Sequence, residues 1–151
     1  MKPKRKKTWI LVADGARARI FANEGGGSGL ASVREFEWPP ARKPTRELGV
    51  EKPGRTFESA DAARHAMEPR VDWQEFEKQR FARRIARLLA RAGDDRRFDA
   101  LVLVAPPKVL GEFRNALDKA TRARVSAEIP KDLTRLAAHE LPRHLGEVVR
   151  L

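Results

Sequence analysis

Asp14 and Asp99 each stand in or beside an apolar run, Thr8–Ala13 and Phe98–Ala105, where carboxylates could meet a metal ion. Two-metal phosphodiester chemistry needs several carboxylates converging on ions about 4 Å apart. Asp14 follows its run, but Asp99 lies at the opposite end of the other, which finishes in Val104-Ala105-Pro106-Pro107 with no acid. Asp14 therefore reads as a turn residue. His139 and His144 are five residues apart and do not share a helix face, and His65 stands among charged neighbours, so the histidines read as solvated rather than metal-bound. There is no cysteine, which excludes disulfides, thiolate metal sites and thiol nucleophiles. Glu24–Gly29 is glycine-rich but lacks Gly-Lys-Ser/Thr and joins strands rather than opening a helix, so it reads as a hairpin tip and not a phosphate loop. No catalytic residue, metal or cofactor is expected.

The cations carry the stronger signal. Lys+Arg number 32 against 21 Asp+Glu, a formal charge of +11. Such an excess favours polyanionic partners: RNA, DNA or an anionic membrane face. Lys2, Lys4, Arg5, Lys6 and Lys7 form a basic arm, and Arg17 and Arg19 share one face of a strand. Arg42, Lys43, Arg46, Lys52 and Arg55 load a central segment, where Lys52-Pro53-Gly54-Arg55-Thr56 is the candidate contact. Arginine presents a fork that binds phosphate bidentately. Arg80, Arg83, Arg84, Arg87 and Arg91 fall on a helix and read as its solvated side. Trp9 and Trp73 read as core. Trp38 and Phe57 could act as stacking platforms, and Phe57 could equally anchor its segment to the domain.

These residues must be held by a small α/β scaffold. A hydrophobic fraction of 41% supports a real core. Thr8–Ala13 suits a strand buried on both faces. Asp14-Gly15 is a hairpin signal, and Ala16–Ala22 alternates Arg17, Arg19 and Phe21 against Ala18, Ile20 and Ala22. Leu30–Trp38 is a third strand, stopped by Pro39-Pro40. Residues 39–71 show no sustained period and are rich in proline, so they read as a long loop, either functional or disordered. Asp72 and Glu75 make a capping-box-like helix start, with Trp73, Phe76, Phe81, Ile85, Leu88, Leu89 and Ala92 at helical spacing and Gly93 as the stop. Phe98–Ala105 is a second buried strand. A helix follows near Val109–Ala120, a strand over Arg122–Ile129, a turn at Lys131–Thr134 and a last helix to about Val149. The domain is then residues 8–151 behind a basic tail of residues 1–7, with a mixed sheet and Thr8–Ala13 parallel to and beside Phe98–Ala105. No apolar run approaches the ~18 residues of a membrane span, and the first run is too short for a secretory signal, so the expected location is cytoplasmic.

Four blocks of the chain resemble the bacterial host attachment protein family, named for a requirement in attachment to host cells. They are Trp9–Phe21, Lys52–Ser59, Phe98–Arg114 and Ala127–Thr134. Within them the matching positions include Asp14, Gly15, Pro106, Pro107, Gly111, Lys131, Asp132, Leu133 and Thr134. That family in turn resembles the middle domain of archaeal and eukaryotic class-one release factors. The resemblance implies a ribonuclease H-like topology of the translational-machinery type, a five-stranded sheet of order 3-2-1-4-5. In the release factors a Gly-Gly-Gln tripeptide in the loop before the first helix promotes peptidyl-tRNA hydrolysis. Here the only glutamines, Gln74 and Gln79, lie in the helix and follow no Gly-Gly pair. Arg55 at the loop centre has no amide to replace the glutamine. The resemblance thus implies a non-catalytic protein that contacts RNA or the ribosome through its arm and the 39–71 loop, with an indirect part in attachment. The alternatives are a surface-associated adhesion factor and a hydrolase of peptidyl-tRNA or RNA, the last disfavoured by the missing tripeptide and carboxylates.

Overall fold

Apolar side chains that alternate in neither phase force a strand to be covered on both faces, and two segments of the chain have this character. In the computed structural model they lie side by side at the centre of the sheet. The structure describes residues 6–25, 29–38, 59–146 and 148, with side chains of the long helix described from Trp73 onward. β1 (Thr8–Ala13) and β4 (Ala100–Val104) run parallel, from Thr8 opposite Ala100 to Val12 opposite Val104. β2 (Arg17–Asn23) returns antiparallel to β1 through the Asp14-Gly15 turn. β3 (Ala31–Glu37) adds an antiparallel edge, and β5 (Val125–Ile129) a parallel one. The order is β3-β2-β1-β4-β5, the mixed sheet expected from the sequence.

The predicted alternation of β2 holds. Ala18 and Ile20 enter the core on one face, and Phe21 enters it on the other. A bulge between Ile20 and Phe21 sets Ile20 opposite Arg34 but Phe21 opposite Ser32, leaving Val33 as the extra residue.

One face is covered by helices. α1 (Ser59–Asp94) lays Phe81, Ala82, Ile85, Ala86, Leu89 and Ala92 on the sheet, and α2 (Pro107–Ala116) adds Val109, Leu110 and Phe113. The other face is thinner: Leu133, Leu141 and Leu145 close over Ile10, Val12, Phe21, Val102 and Val104.

Several boundaries differ from expectation for physical reasons. α1 begins at Ser59, so residues 59–71 of the expected loop, His65 and Pro69 included, lie on helical backbone. An interior proline costs about 3 kcal/mol, which is why Pro69 reads as a stop in sequence. Asp72 is consequently inside the helix and not at its start. Gly93 precedes the helix end at Asp94 and lies against the tip of the Arg124 side chain, which a Cβ there would displace. The helix expected to Ala120 is two. Asp118 caps a short α3 (Lys119–Arg124), its carboxylate accepting from Thr121 N at 2.9 Å, and β5 therefore starts at Val125. A 3-10 turn (Ala138–Glu140) precedes α4 (Leu141–Leu145), whose Pro142 sits in the first turn where its missing N–H is harmless. Trp73 is 41% exposed and is not core, whereas Trp9 is 5% exposed and is.

Leu103, 1% exposed at the centre of β4, tests this account of the core. Leu103→Ala is expected to cost about 2–5 kcal/mol, lowering the urea midpoint with an unchanged slope. Val33→Ala, at the exposed bulge, should stay within about 0.5 kcal/mol.

Candidate nucleic-acid interface

The parallel strands β1, β4 and β5 end on one edge of the sheet, and the turns that leave them meet there. Open α/β sheets commonly bind ligands at this carboxyl edge. Asp14 follows β1. Its Oδ1 accepts from Ala16 N and Arg17 N, both at 2.7 Å, which confirms it as a turn residue. The Thr134 hydroxyl directs its one proton to Asp132 Oδ1 at 2.6 Å and stands 3.3 Å from Asp14 Oδ2. Leu133 points from the same turn into the core. Asp14, Asp132, Leu133 and Thr134 are therefore one latch between the β1–β2 turn and the segment after β5. Lys131 beside them is exposed.

Gly15 has its own constraint. A Cβ there would come within 3.0 Å of the Lys78 side chain, which would have to shift by a few tenths of an ångström to admit it. Pro106 and Pro107 open α2 after β4, and Pro106 O accepts from Leu110 N at 2.9 Å. Gly111 has open space where a Cβ would stand, so nothing in its surroundings requires glycine. Asp99 is at the far end of β4, where its Oδ2 accepts from Lys7 N at 2.9 Å.

Two carboxylates close the seam between α1 and α2. Lys108 Nζ donates to Glu75 Oε1 at 2.7 Å, and that bond holds the Glu75 carboxyl below its ordinary pKa. Glu112 is pushed the other way, first by burial and then by the charge of Glu75.

The expected nucleic-acid contacts separate into three groups. Lys4, Arg5 and the Lys52-Pro53-Gly54-Arg55-Thr56 stretch lie outside the described residues, as does Phe57. Lys6 and Lys7 are exposed, with the Lys7 backbone pinned to β4. Arg17 and Arg19 are engaged within the fold. Arg17 pairs with Glu37 at 3.6 Å and Arg19 with Glu35 at 3.4 Å, and the Arg19 guanidinium also donates to Leu136 O. These two arginines tie the edge strand and the C-terminal segment to β2.

The arginines read from sequence as a solvated helix side do something else. Arg80, Arg84, Arg87 and Arg91 follow i, i+4, i+7, i+11 spacing, one stripe of α1. With Arg83, with Arg97 beyond the helix and with Arg34 on β3, they line a cleft of about 830 Å³ between α1 and the edge strand. Asp95 is the acidic residue of that lining. The β3 bulge lets the successive residues Val33 and Arg34 both reach it. Among the described residues none of these arginines except Arg80 forms an ion pair.

Aromatic rings set the cleft's floor. Trp38 stacks on Phe81 with centroids 6.1 Å apart, and its Nε1 donates to the buried Glu77 at 2.7 Å. The Arg84 guanidinium lies 5.4 Å from the Trp38 ring centre, and Arg80 lies between Trp38 (5.9 Å) and Phe76 (5.8 Å). Arg34 covers Phe36 at 4.8 Å. Stacking fixes each guanidinium plane while its N–H fork stays available at the edge. Trp38 is thus a bed for arginines, with one face already on Phe81. The sequence signal for this cleft was the four-arginine stripe. What it lacked was the position of β3 across from it.

The archaeal translation termination factor aRF1 has a similar structure, with a TM-score of 0.55, 14% identity and 95% of this chain covered. This chain spans 35% of that one. A second structure, described as an archaeal protein, gives 0.49 and 13% over 95% of this chain and 34% of its own. No curated protein matches the sequence. Residues 9–145 match the family model "Protein required for attachment to host cells", and the chain belongs to that family.

Glu112 offers a test of the α1–α2 seam. Its folded pKa is raised, so the native state holds that proton more tightly than the unfolded chain, and this contribution is lost as pH rises through the folded value. Glu112→Gln mimics the protonated form. It should therefore raise the melting temperature at neutral pH, with the difference closing as the medium becomes acidic enough to protonate Glu112 in both states.

Proposed function

We propose that this protein is a non-catalytic RNA-binding factor that works on RNA or the ribosome and affects host attachment indirectly. The observation that carries this reading is the cleft between α1 and β3, lined by arginines and by a single acid. Beyond Arg80, whose partner is Glu77, these guanidinia have no ion-pair partner among the described residues, and like charges so gathered repel one another. Phosphates relieve that repulsion and release condensed counterions as they bind. The basic arm from Lys2 to Lys7 and the Lys52–Thr56 stretch add charge of the same sign. The shared fold with a termination factor supports translation as the setting. The absence of Gly-Gly-Gln from the sequence supports binding without peptidyl-tRNA hydrolysis.

A second reading follows from the words of the family description: a factor acting at the cell surface in attachment itself. Among the described residues no helix is long and apolar enough to cross a membrane, so this reading requires another means of retention there.

Ribosome co-sedimentation over a salt series tests the proposal. The protein should pellet with ribosomes at low salt and leave them steeply as salt rises, with log affinity falling by about 0.7 per phosphate contact for single strands. Failure to bind ribosomes or purified RNA at low salt, together with recovery on the cell exterior, would favour the adhesion reading.

A further inference from the structure

Resting on that reading, we infer that the cleft is a site for single-stranded RNA. Arg84, Arg87 and Arg91 take consecutive phosphates, and the exposed rings of Phe76 and Trp73 receive unstacked bases at the cleft's amino-terminal end.

Two independent observations support this. The first is the state of the guanidinia. Arg80 is tied to Glu77 at 3.4 Å and held between two rings, so it positions its neighbours. Arg84, Arg87 and Arg91 form no ion pair among the described residues and face a cleft. From Arg80 to Arg91 the stripe runs about 16 Å along the helix axis, long enough to track several nucleotides of backbone. The second is the exposure of two large rings. Phe76 is 50% exposed and Trp73 41%, next to each other on the turn of α1 that leads into the arginine stripe. Neither is in the core cluster that holds Phe81 and Ile85. Rings beside a cationic groove stack bases without regard to sequence.

This pairing discriminates among polyanions. A duplex keeps its base faces stacked on each other, so it has phosphates for the arginines and nothing for the rings. An anionic membrane would also meet the arginines, but these lie in a concave cleft and not on a flat face. Single-stranded RNA uses both features at once.

The test is fluorescence anisotropy of a labelled, unstructured RNA oligonucleotide, the same RNA annealed to its complement, and phosphatidylglycerol vesicles as competitor. Two variants are compared with the wild type: Phe76→Ala, and the triple change Arg84→Ser, Arg87→Ser and Arg91→Ser. Both alter exposed side chains, and their melting temperatures should stay close to that of the wild type. Phe76→Ala should weaken single-strand binding about tenfold and leave the duplex nearly unaffected. The triple variant should flatten the salt slope by about two, from three lost phosphate contacts. Trp73 emission should be quenched on adding single-stranded RNA. If the wild type binds RNA but the triple variant binds it equally, this site is refuted and RNA binding stands, with its contacts elsewhere. Duplex preference, insensitivity to Phe76→Ala, or vesicles outcompeting RNA would also refute the site. If the wild type binds no RNA at low salt, the reading beneath it falls too.

Discussion

The pairing of β1 with β4 is the constraint on which the rest of the molecule depends. Ile10, Leu11, Val12, Leu101, Leu103 and Val104 are all at most 1% exposed, and they alternate between the two faces of the sheet. Burial of such side chains contributes about 1.5–3 kcal/mol each, so neither face can be left open. One is closed by α1 and α2. The other is closed by the leucines that follow β5, whose segment Arg19 of β2 holds by donating to Leu136 O.

Covering the sheet fixes the rotation of α1. With Phe81, Ile85 and Leu89 facing the strands, the helix's arginine stripe cannot face fully away. It lies along the flank, opposite the edge strand, and a cleft results. β3 is tied down by Arg17 and Arg19 from the opposite face of the sheet, which leaves Arg34 and Phe36 for the cleft. The two arginines on β2 and those on α1 thus have different roles set by geometry. The first pair has acids across the strand, and the second set has an open groove. Surface ion pairs of the first kind contribute little stability each, but they hold the register that the bulge requires.

Much of the scaffold was legible in the sequence because burial on both faces leaves an unmistakable pattern. β1 matched to the residue and its parallel partner followed from the same pattern, while the full sheet order came from the family resemblance. The helix start was not legible. Pro69 masks a helix whose described apolar contacts begin only with Phe81 and Ala82, since Trp73 and Phe76 sit on its outer turn. Gly93 looked like a stop because a glycine packed against the tip of Arg124 is spelled the same way as a cap. The site was legible in charge but not in place. A stripe of arginines at helical spacing reads as a solvated face until a second element lies across from it, and that element, β3, is separated in sequence by more than forty residues from Arg80. Conversely, Arg17 and Arg19 looked free because the acids that pair with them belong to the next strand.

The central claim is that the flank between α1 and β3 is where this protein meets RNA. Amide hydrogen exchange, followed residue by residue with and without saturating single-stranded RNA, addresses it most directly. The account predicts slowed exchange in the part of α1 from Trp73 to Asp94 and along β3, with β5 and the Lys131–Thr134 turn unchanged. Slowing confined to the carboxyl edge, around Asp14–Arg17 and Lys131–Thr134, with α1 and β3 untouched, would contradict it.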